Sequence, residues 1–282
     1  MRTHRPLILA ACTACSAALT LPARLHAQRA DRDYSDVDAQ FLDDCQHDNS
    51  DWRATYCDVR VSGSRATGDL ITVNPGDNGG VEFAGWDHDS VEIHAHIQAQ
   101  AGSDEAAQAL AKQVTISTSG GVIHAEGPAS RSRASWSVTF VVYVPRKSDL
   151  QAESQNGPIE VRDVVGKIDV STENGPIDLS RVGGDVHARA ENGPLGVRLS
   201  GTTWQGGSLD ASTVNGPVDL DIPAGYNAQL ETGTVNGPMH VDFPLTITIQ
   251  GRVTQRISTT LGSGGPTVRV VTTNGPVSIR RR

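Results

Sequence analysis

The sequence predicts an all-β protein: a β-solenoid of stacked short strands, about 18–21 residues per coil, with one short helix near residues 103–113. Three observations carry this. The triplet Asn-Gly-Pro occurs six times, as Asn156-Gly157-Pro158, Asn174-Gly175-Pro176, Asn192-Gly193-Pro194, Asn215-Gly216-Pro217, Asn236-Gly237-Pro238 and Asn274-Gly275-Pro276. Gly157, Gly166, Gly175, Gly184 and Gly193 follow one another at nine-residue intervals, and each precedes a short run in which aliphatic and polar residues alternate. No Phe, Tyr or Trp occurs from Val144 through Thr203, as a narrow coil interior requires.

Residues 1–27 read as a secretory signal peptide. Arg2 and Arg5 form the positive start, Leu7 to Leu21 is mostly apolar, and Leu25-His26-Ala27 precedes a cleavage point at Gln28. Leu9-Ala10-Ala11-Cys12 offers a second reading, a lipoprotein cleavage box with Cys12 as the lipid anchor. Residues 28–60 form an acidic leader rich in aspartate that buries little. Cys45 and Cys57, an even pair in an exported chain, predict a disulfide that ties this leader down, worth about 3 kcal/mol in the chain-entropy model.

Residues 61–150 are an irregular β region and the N-terminal part of the solenoid. Leu70–Val73, Val81–Phe83, Val91–Ile97, Val114–Ile116, Val122–His124 and Trp136–Val144 are β-branched or alternating runs separated by Gly and Asp clusters. The helix falls among them: Ser103 suits the N-cap, Asp104 and Glu105 the first turn, and Ala106 to Lys112 is rich in helix formers.

Residues 151–282 are the Asn-Gly-Pro repeat. Ile159 and Val161, Ile168 and Val170, Ile177 and Leu179, Val186 and Ala188, and Leu195 and Val197 alternate with Glu160, Asp169, Asp178 and His187, which puts aliphatics on one face and charges on the other. Asn-Gly between strands ordinarily signals a hairpin. Here the Pro ring pushes the preceding Gly towards extended geometry, and Pro suits the first residue of a strand, so the triplet reads as a corner between coils. The last interval, 38 residues, reads as two repeats with Gly264-Gly265-Pro266 as a degenerate turn.

The Asn-Gly-Pro repeats, the Cys45…Trp52…Cys57-Asp58-Val59-Arg60 leader and the Tyr143-Val144-Pro145 segment resemble a bacterial adhesin-like family of unknown function. The resemblance covers roughly residues 40–282 and implies an exported β-strand-repeat protein of the envelope. Members of that family often carry Ser or another residue in place of the Pro. The family supplies no catalytic residues.

Removing residues 1–27 removes three arginines and no acid, taking the net charge from −8 to −11. That argues against a nucleic-acid partner. Arg280-Arg281-Arg282 reads as a solvated end whose charge discourages edge pairing of the last strand, hence a monomer. No nucleophile elbow, phosphate loop or His-Glu-x-x-His motif is present, so no catalytic residue and no cofactor is expected.

His94 and His96 share a strand face and are the best metal candidates, with His88, Asp87 or Asp89 to complete a site. The competing reading is a solvated face opposite the core residues Val91, Ile93, Ala95 and Ile97. The corners lack the regular Asp of a calcium-binding β-roll, and Asp169, Asp178, Asp219, Asp221 and Asp242 read as solvent-facing. Glu160, Asp169, Asp178 and Asp219 could line a glycan-cleaving groove, but the repeats lack aromatic platforms for sugars. The expectation is therefore a non-catalytic structural or adhesive module with an unknown envelope or extracellular ligand, and no metal. The alternative is an envelope-stress or signalling accessory that presents an apolar patch containing Phe83, Trp86 or Trp136.

Overall fold

A computed structural model describes residues 34–47, 53–65, 68–243 and 256–282. The leader read as a signal peptide, Cys12 and Trp52 lie outside the described residues.

The first element is a helix, α1 (Tyr34–His47), where the sequence reads only an acidic leader. Val37, Phe41 and Cys45 recur every fourth residue and make one stripe of it at least partly buried. The surrounding aspartates hide this stripe in a reading by composition. Then follow β1 (Ala54–Arg65), β2 (Ile71–Asn74), β3 (Val81–Trp86) and β4 (Ser90–Ala101). The helix α2 (Asp104–Gln113) starts at Ser103, whose Oγ accepts the Ala106 N–H at 3.3 Å, and it buries Ala107, Leu110 and Ala111. β5 (Thr115–Ser117), β6 (Val122–Glu126) and β7 (Ser135–Pro145) complete the irregular part.

The repeat then alternates between two sheets. The first sheet receives β9 (Ile159–Arg162), β11 (Ile177–Ser180), β13 (Leu195–Arg198), β15 (Val218–Ile222), β17 (Met239–Val241) and β20 (Val277–Arg281). The second receives β8 (Leu150–Asn156), β10 (Val165–Asn174), β12 (Gly183–Asn192), β14 (Ser208–Asn215), β16 (Ala228–Asn236), β18 (Arg256–Leu261) and β19 (Thr267–Asn274). Pairing within the stack is parallel and in register, with Ile177 level with Ile159 and Leu195, and Asn174 level with Asn156 and Asn192. The aliphatic residues that alternate in the sequence, from Ile159 and Val161 through Leu195 and Val197, are all buried between the sheets. The chain is therefore a β-solenoid, with two helices among the described residues.

Two features depart from the sequence reading. The first sheet runs β1-β4-β7-β3-β9-β11-β13-β15-β20-β17, and the second runs β18-β16-β19-β14-β12-β10-β8-β2-β6-β5. The last coil in the sequence, β19 and β20, thus lies between the coils of β14/β15 and β16/β17. The 38-residue interval is an excursion to the outer coil and back. Gly264-Gly265-Pro266 lies in the turn that follows β18, which pairs antiparallel with β16, so it is not a solenoid corner.

It also follows that β20 is not an edge strand. It is paired on both sides, by β15 and β17. The arginines at its end do not guard an edge: Arg280 reaches Asp219 at 2.5 Å, and Arg282 pairs with buried Asp221.

Candidate functional site

The six triplets stack on one line. Asn Nδ2 of each donates to Asn Oδ1 of the neighbouring coil, from Asn174 to Asn156 (3.0 Å), Asn192 to Asn174 (3.1 Å), Asn215 to Asn192 (2.9 Å), Asn274 to Asn215 (2.8 Å) and Asn236 to Asn274 (2.8 Å). In the opposite direction the Gly N–H of five of the triplets donates to the Asn carbonyl of the neighbouring coil, as from Gly157 to Asn174 and from Gly193 to Asn215, both at 3.0 Å. Close stacking explains the glycines. A Cβ on Gly193 would lie 2.0 Å from the Gly175 carbonyl oxygen, and one on Gly216 would lie 1.9 Å from that of Gly193.

Two residues before the Asn, an inward hydroxyl donates to the neighbouring corner. Thr172 bonds the Gly157 carbonyl, Thr213 that of Gly193, Thr272 that of Gly216, and Ser154 that of Gly79. Ala190 occupies this position in its coil. Asn78-Gly79-Gly80 extends the line: Gly79 N–H donates to the Asn156 carbonyl at 2.9 Å, and Asn156 Nδ2 to the Asp77 carbonyl at 2.8 Å. This corner departs from the Asn-Gly-Pro pattern because Gly80 stands in the place of Pro. The Asn-Gly pair and the Val81 strand start were its legible signals.

The outer face of the first sheet carries the acids weighed for glycan chemistry. Glu82, Glu160, Asp178, Gly196 and Asp219 are level with one another across five strands. Asp169 is on the second sheet and does not join them. Arginines close on this row: Arg162 on Glu82 and Glu160, Arg198 on Asp178 at 2.7 Å, and Arg280 on Asp219. Arg181 grips Asp163 through two bonds of 2.6 Å. On the second sheet Arg269 bonds Asp210. Burial holds the Asp178 carboxyl above its ordinary value, against the pull of Arg198.

His94 and His96 are not on a solvated face. α1 covers them, and they are 4% and 5% exposed. Asp38 of α1 bridges both rings, Oδ2 to His94 Nδ1 and Oδ1 to His96 Nε2, each at 2.7 Å. His94 Nε2 faces Glu92 at 2.8 Å, and Phe41 stacks on His96 with ring centres 4.4 Å apart. Both His94 nitrogens therefore face carboxylate oxygens. Burial pushes the His96 imidazole below its ordinary value, and the bond to Asp38 opposes that. The disulfide Cys45–Cys57 joins α1 to β1 beside this cluster. The sequence missed the site because Asp38 is distant in the chain and appears as one acid among many.

His88 and Asp87 do not approach the two histidines: Asp87 binds Arg146 at 2.7 Å, and His88 lies edge-on to Trp86. Among the described residues no group of three or more His, Cys, Asp or Glu side chains is arranged to hold a metal ion. Phe83 and Trp86 are buried and Trp136 is partly buried, so they form no exposed patch. Among the described residues no helix is long and apolar enough to cross a membrane.

Among the described residues, one concave feature is a cleft of about 700 Å³ between the two sheets in the N-terminal part, and another, of about 420 Å³, is lined by Asp178, Asp219 and Asp221 with Arg198 and Arg280. Ile71 and Ile123 wall the larger from the second sheet and Val91 and Ile93 from the first; Val165 and Pro145 also line it. Asp69, Lys147 and Asp149 line it as well.

Among solved structures, the chain is similar to a "putative cell adhesion protein" from Clostridium sporogenes (9% identity, 80% of this chain and 100% of that one, TM-score 0.41). It is also similar to a "putative adhesin" from Bacteroides fragilis (10% identity, 80% and 97%, TM-score 0.34). No curated protein matches it. Residues 24–280 match the family described as Toastrack DUF4097, and the chain belongs to that family.

Proposed function

We propose that the protein is a non-catalytic, exported module of the cell envelope, structural or adhesive in role, periplasmic or on the cell surface. The observation that carries this reading is the arginine pairing of the outer acids. Asp163, Asp178, Asp219 and Asp210 each hold an arginine from a neighbouring coil. A glycosidase needs one carboxyl free to give a proton and a second to attack or to activate water. An arginine partner favours the charged form of a carboxyl and so opposes proton donation, although burial works against this at Asp178, and the four pairs form an array of paired charges on the surface. Such an array suits many weak, simultaneous contacts with an envelope or extracellular ligand. The disulfide supports export, because such bonds persist in oxidising compartments. The six Asn-Gly-Pro triplets serve this reading as the stacking device of the scaffold. A mature chain that is a monomer is part of the same proposal.

The test has two arms. Purified protein is offered cell-wall glycan, host matrix proteins and itself, and a polysaccharide panel is followed for turnover. The expected result is saturable binding in the first arm and no turnover in the second. Turnover that is lost in Asp178→Ala would replace this reading with an enzyme.

A further inference from the structure

We propose that the cavity over Gly196 is a glycan-binding subsite, which takes one neutral pyranose ring by its hydroxyl groups. This deepens the adhesive reading above, and rests on it, by naming the class of ligand and the place that holds it.

The first observation is a break in the repeat. In the row Glu82, Glu160, Asp178, Gly196 and Asp219, Gly196 alone lacks a side chain. A corner glycine such as Gly193 is demanded by stacking, because a Cβ there meets a backbone oxygen at 2.0 Å. At Gly196 the nearest atom to a Cβ is Asp178 Oδ2 at 2.8 Å, the end of a side chain that can turn away, and the nearest backbone atom is Ile177 O at 3.9 Å. Its pairing with Asp178 and Asp219 is in register, so no bulge requires it either. A glycine inside a strand weakens the strand, and where no bulge or neighbouring backbone explains it, close approach of a ligand does. Asp178 and Asp219 stand two strand spacings apart across the gap, about 9.5 Å. The cavity, about 420 Å³, lies within the usual ligand-pocket range of roughly 300–1,000 Å³.

The second observation is unused hydrogen-bonding capacity. Asp178 Oδ2 leans over the gap, while Arg198 bonds the other oxygen at 2.7 Å. Asp221 lines the cavity with a side chain only 8% exposed, and among the described residues its buried Oδ1 accepts no hydrogen bond. Arg280 Nε lies 3.3 Å from that oxygen on a half-exposed side chain, and Arg282 pairs with Oδ2. A hydroxyl entering beside Arg280 supplies the bond that Oδ1 lacks.

The third is the balance of charge. Four carboxylates and four guanidinium groups line the cavity. A charged ligand meets as many like charges as opposite ones. A hydroxyl both donates and accepts, so it finds a partner in either group, and each guanidinium has five N–H donors to share. Pro176 and Pro194 border the cavity and offer apolar surface to the C–H face of a ring.

The experiment is calorimetric titration of the full chain with five tetrasaccharides: maltotetraose, cellotetraose and the N-acetylglucosamine tetramer as neutral chains, tetragalacturonate as an anion and the glucosamine tetramer as a cation. Expected are saturable binding of at least one neutral chain and weaker binding of both charged ones. Gly196→Val, which suits a strand and puts its side chain into the gap, is expected to weaken binding at least about tenfold, and Asp178→Ala about threefold. Asp169→Ala, on the second sheet, is expected to leave it unchanged. Thermal melting shows whether each variant is folded, and Asp178→Ala, at a partly exposed position, keeps the test valid if Gly196→Val fails to fold. Binding of cell wall or matrix protein without binding of any tetrasaccharide overturns the subsite and leaves the adhesive reading standing. So does binding of the charged chains alone, unchanged affinity in folded Gly196→Val and Asp178→Ala, or a loss in Asp169→Ala equal to that in Asp178→Ala. Binding of none of these, nor of the protein to itself, overturns both.

Discussion

The C-terminal stack and the N-terminal part differ in how many times each solution is used. From Leu150 on, one corner is repeated: an Asn amide rung and a Gly packed against the neighbouring Gly carbonyl, joined in four coils by an inward Thr or Ser hydroxyl that bonds the neighbouring corner. Each contact there is between nearest neighbours, as in other repeat proteins. The N-terminal part uses each of its devices once. It has antiparallel β1-β4-β7, two helices, the Asp38–His94–His96 cluster and the cleft. Repetition makes a regular surface, whereas singular residues in one place make a site. The Asp38–His94–His96 cluster lies in the irregular part, and the cavity over Gly196 lies where one residue breaks the regular row.

The most severe break in the regular part is expected from Gly193→Ala. Its Cβ would lie 2.0 Å from the Gly175 oxygen, so two coils must part. The expected loss exceeds about 3 kcal/mol in urea unfolding. Gly201→Ala is the control: nothing lies within 4 Å of its Cβ, and only its φ of +73° is strained, at about 1–2 kcal/mol. Equal losses would show that stacking is not what requires glycine at the corners.

In the irregular part, Cys45→Ser is expected to lose about 3 kcal/mol and to deprotect the α1 amides in hydrogen exchange. Asp38→Ala leaves two buried imidazoles without their shared acceptor, at about 2 kcal/mol. The same cluster gives a pH dependence. The His96 value is lower in the folded than in the unfolded chain, so the unfolded chain takes up more protons as pH falls through about 6.5. The His96 contribution is complete above that pH and is lost below it. Melting temperature is expected to drop from pH 7.5 to 5.5, and to drop less in His96→Gln.

Smaller effects sharpen the account of the regular part. Asn192→Ala removes two rungs at an exposed position, and about 1 kcal/mol is expected. Ala190→Thr supplies the one missing hydroxyl of its coil, aimed at the Gly175 carbonyl as Thr172 is at Gly157. It is expected to stabilise by about 0.5–1 kcal/mol, and a loss would show that this coil lacks room for the extra atoms.

Legibility in the sequence followed the same division. Alternation placed Ile159, Val161 and their successors in the core, and Ser103 with its acidic first turn marked α2. α1 escaped because its apolar stripe is sparse among aspartates, and its partners lie on β1 and β4, far away in the chain. His94 and His96 looked solvated because strand alternation assigns faces and does not say what covers the second face.

The sequence by itself determined the all-β class, the coil corners, the narrow aliphatic interior and the position of α2, because these are set by local periodicity and by the chemistry of adjacent residues. Tertiary structure alone decided that β19 and β20 enter between earlier coils, that α1 seals the histidines under Asp38, and that a cleft opens where the regular stack ends. Strand pairing is a contact between distant segments, and identical corners stack equally well in any order. A repeat can therefore specify how coils fit together without specifying which coil comes next.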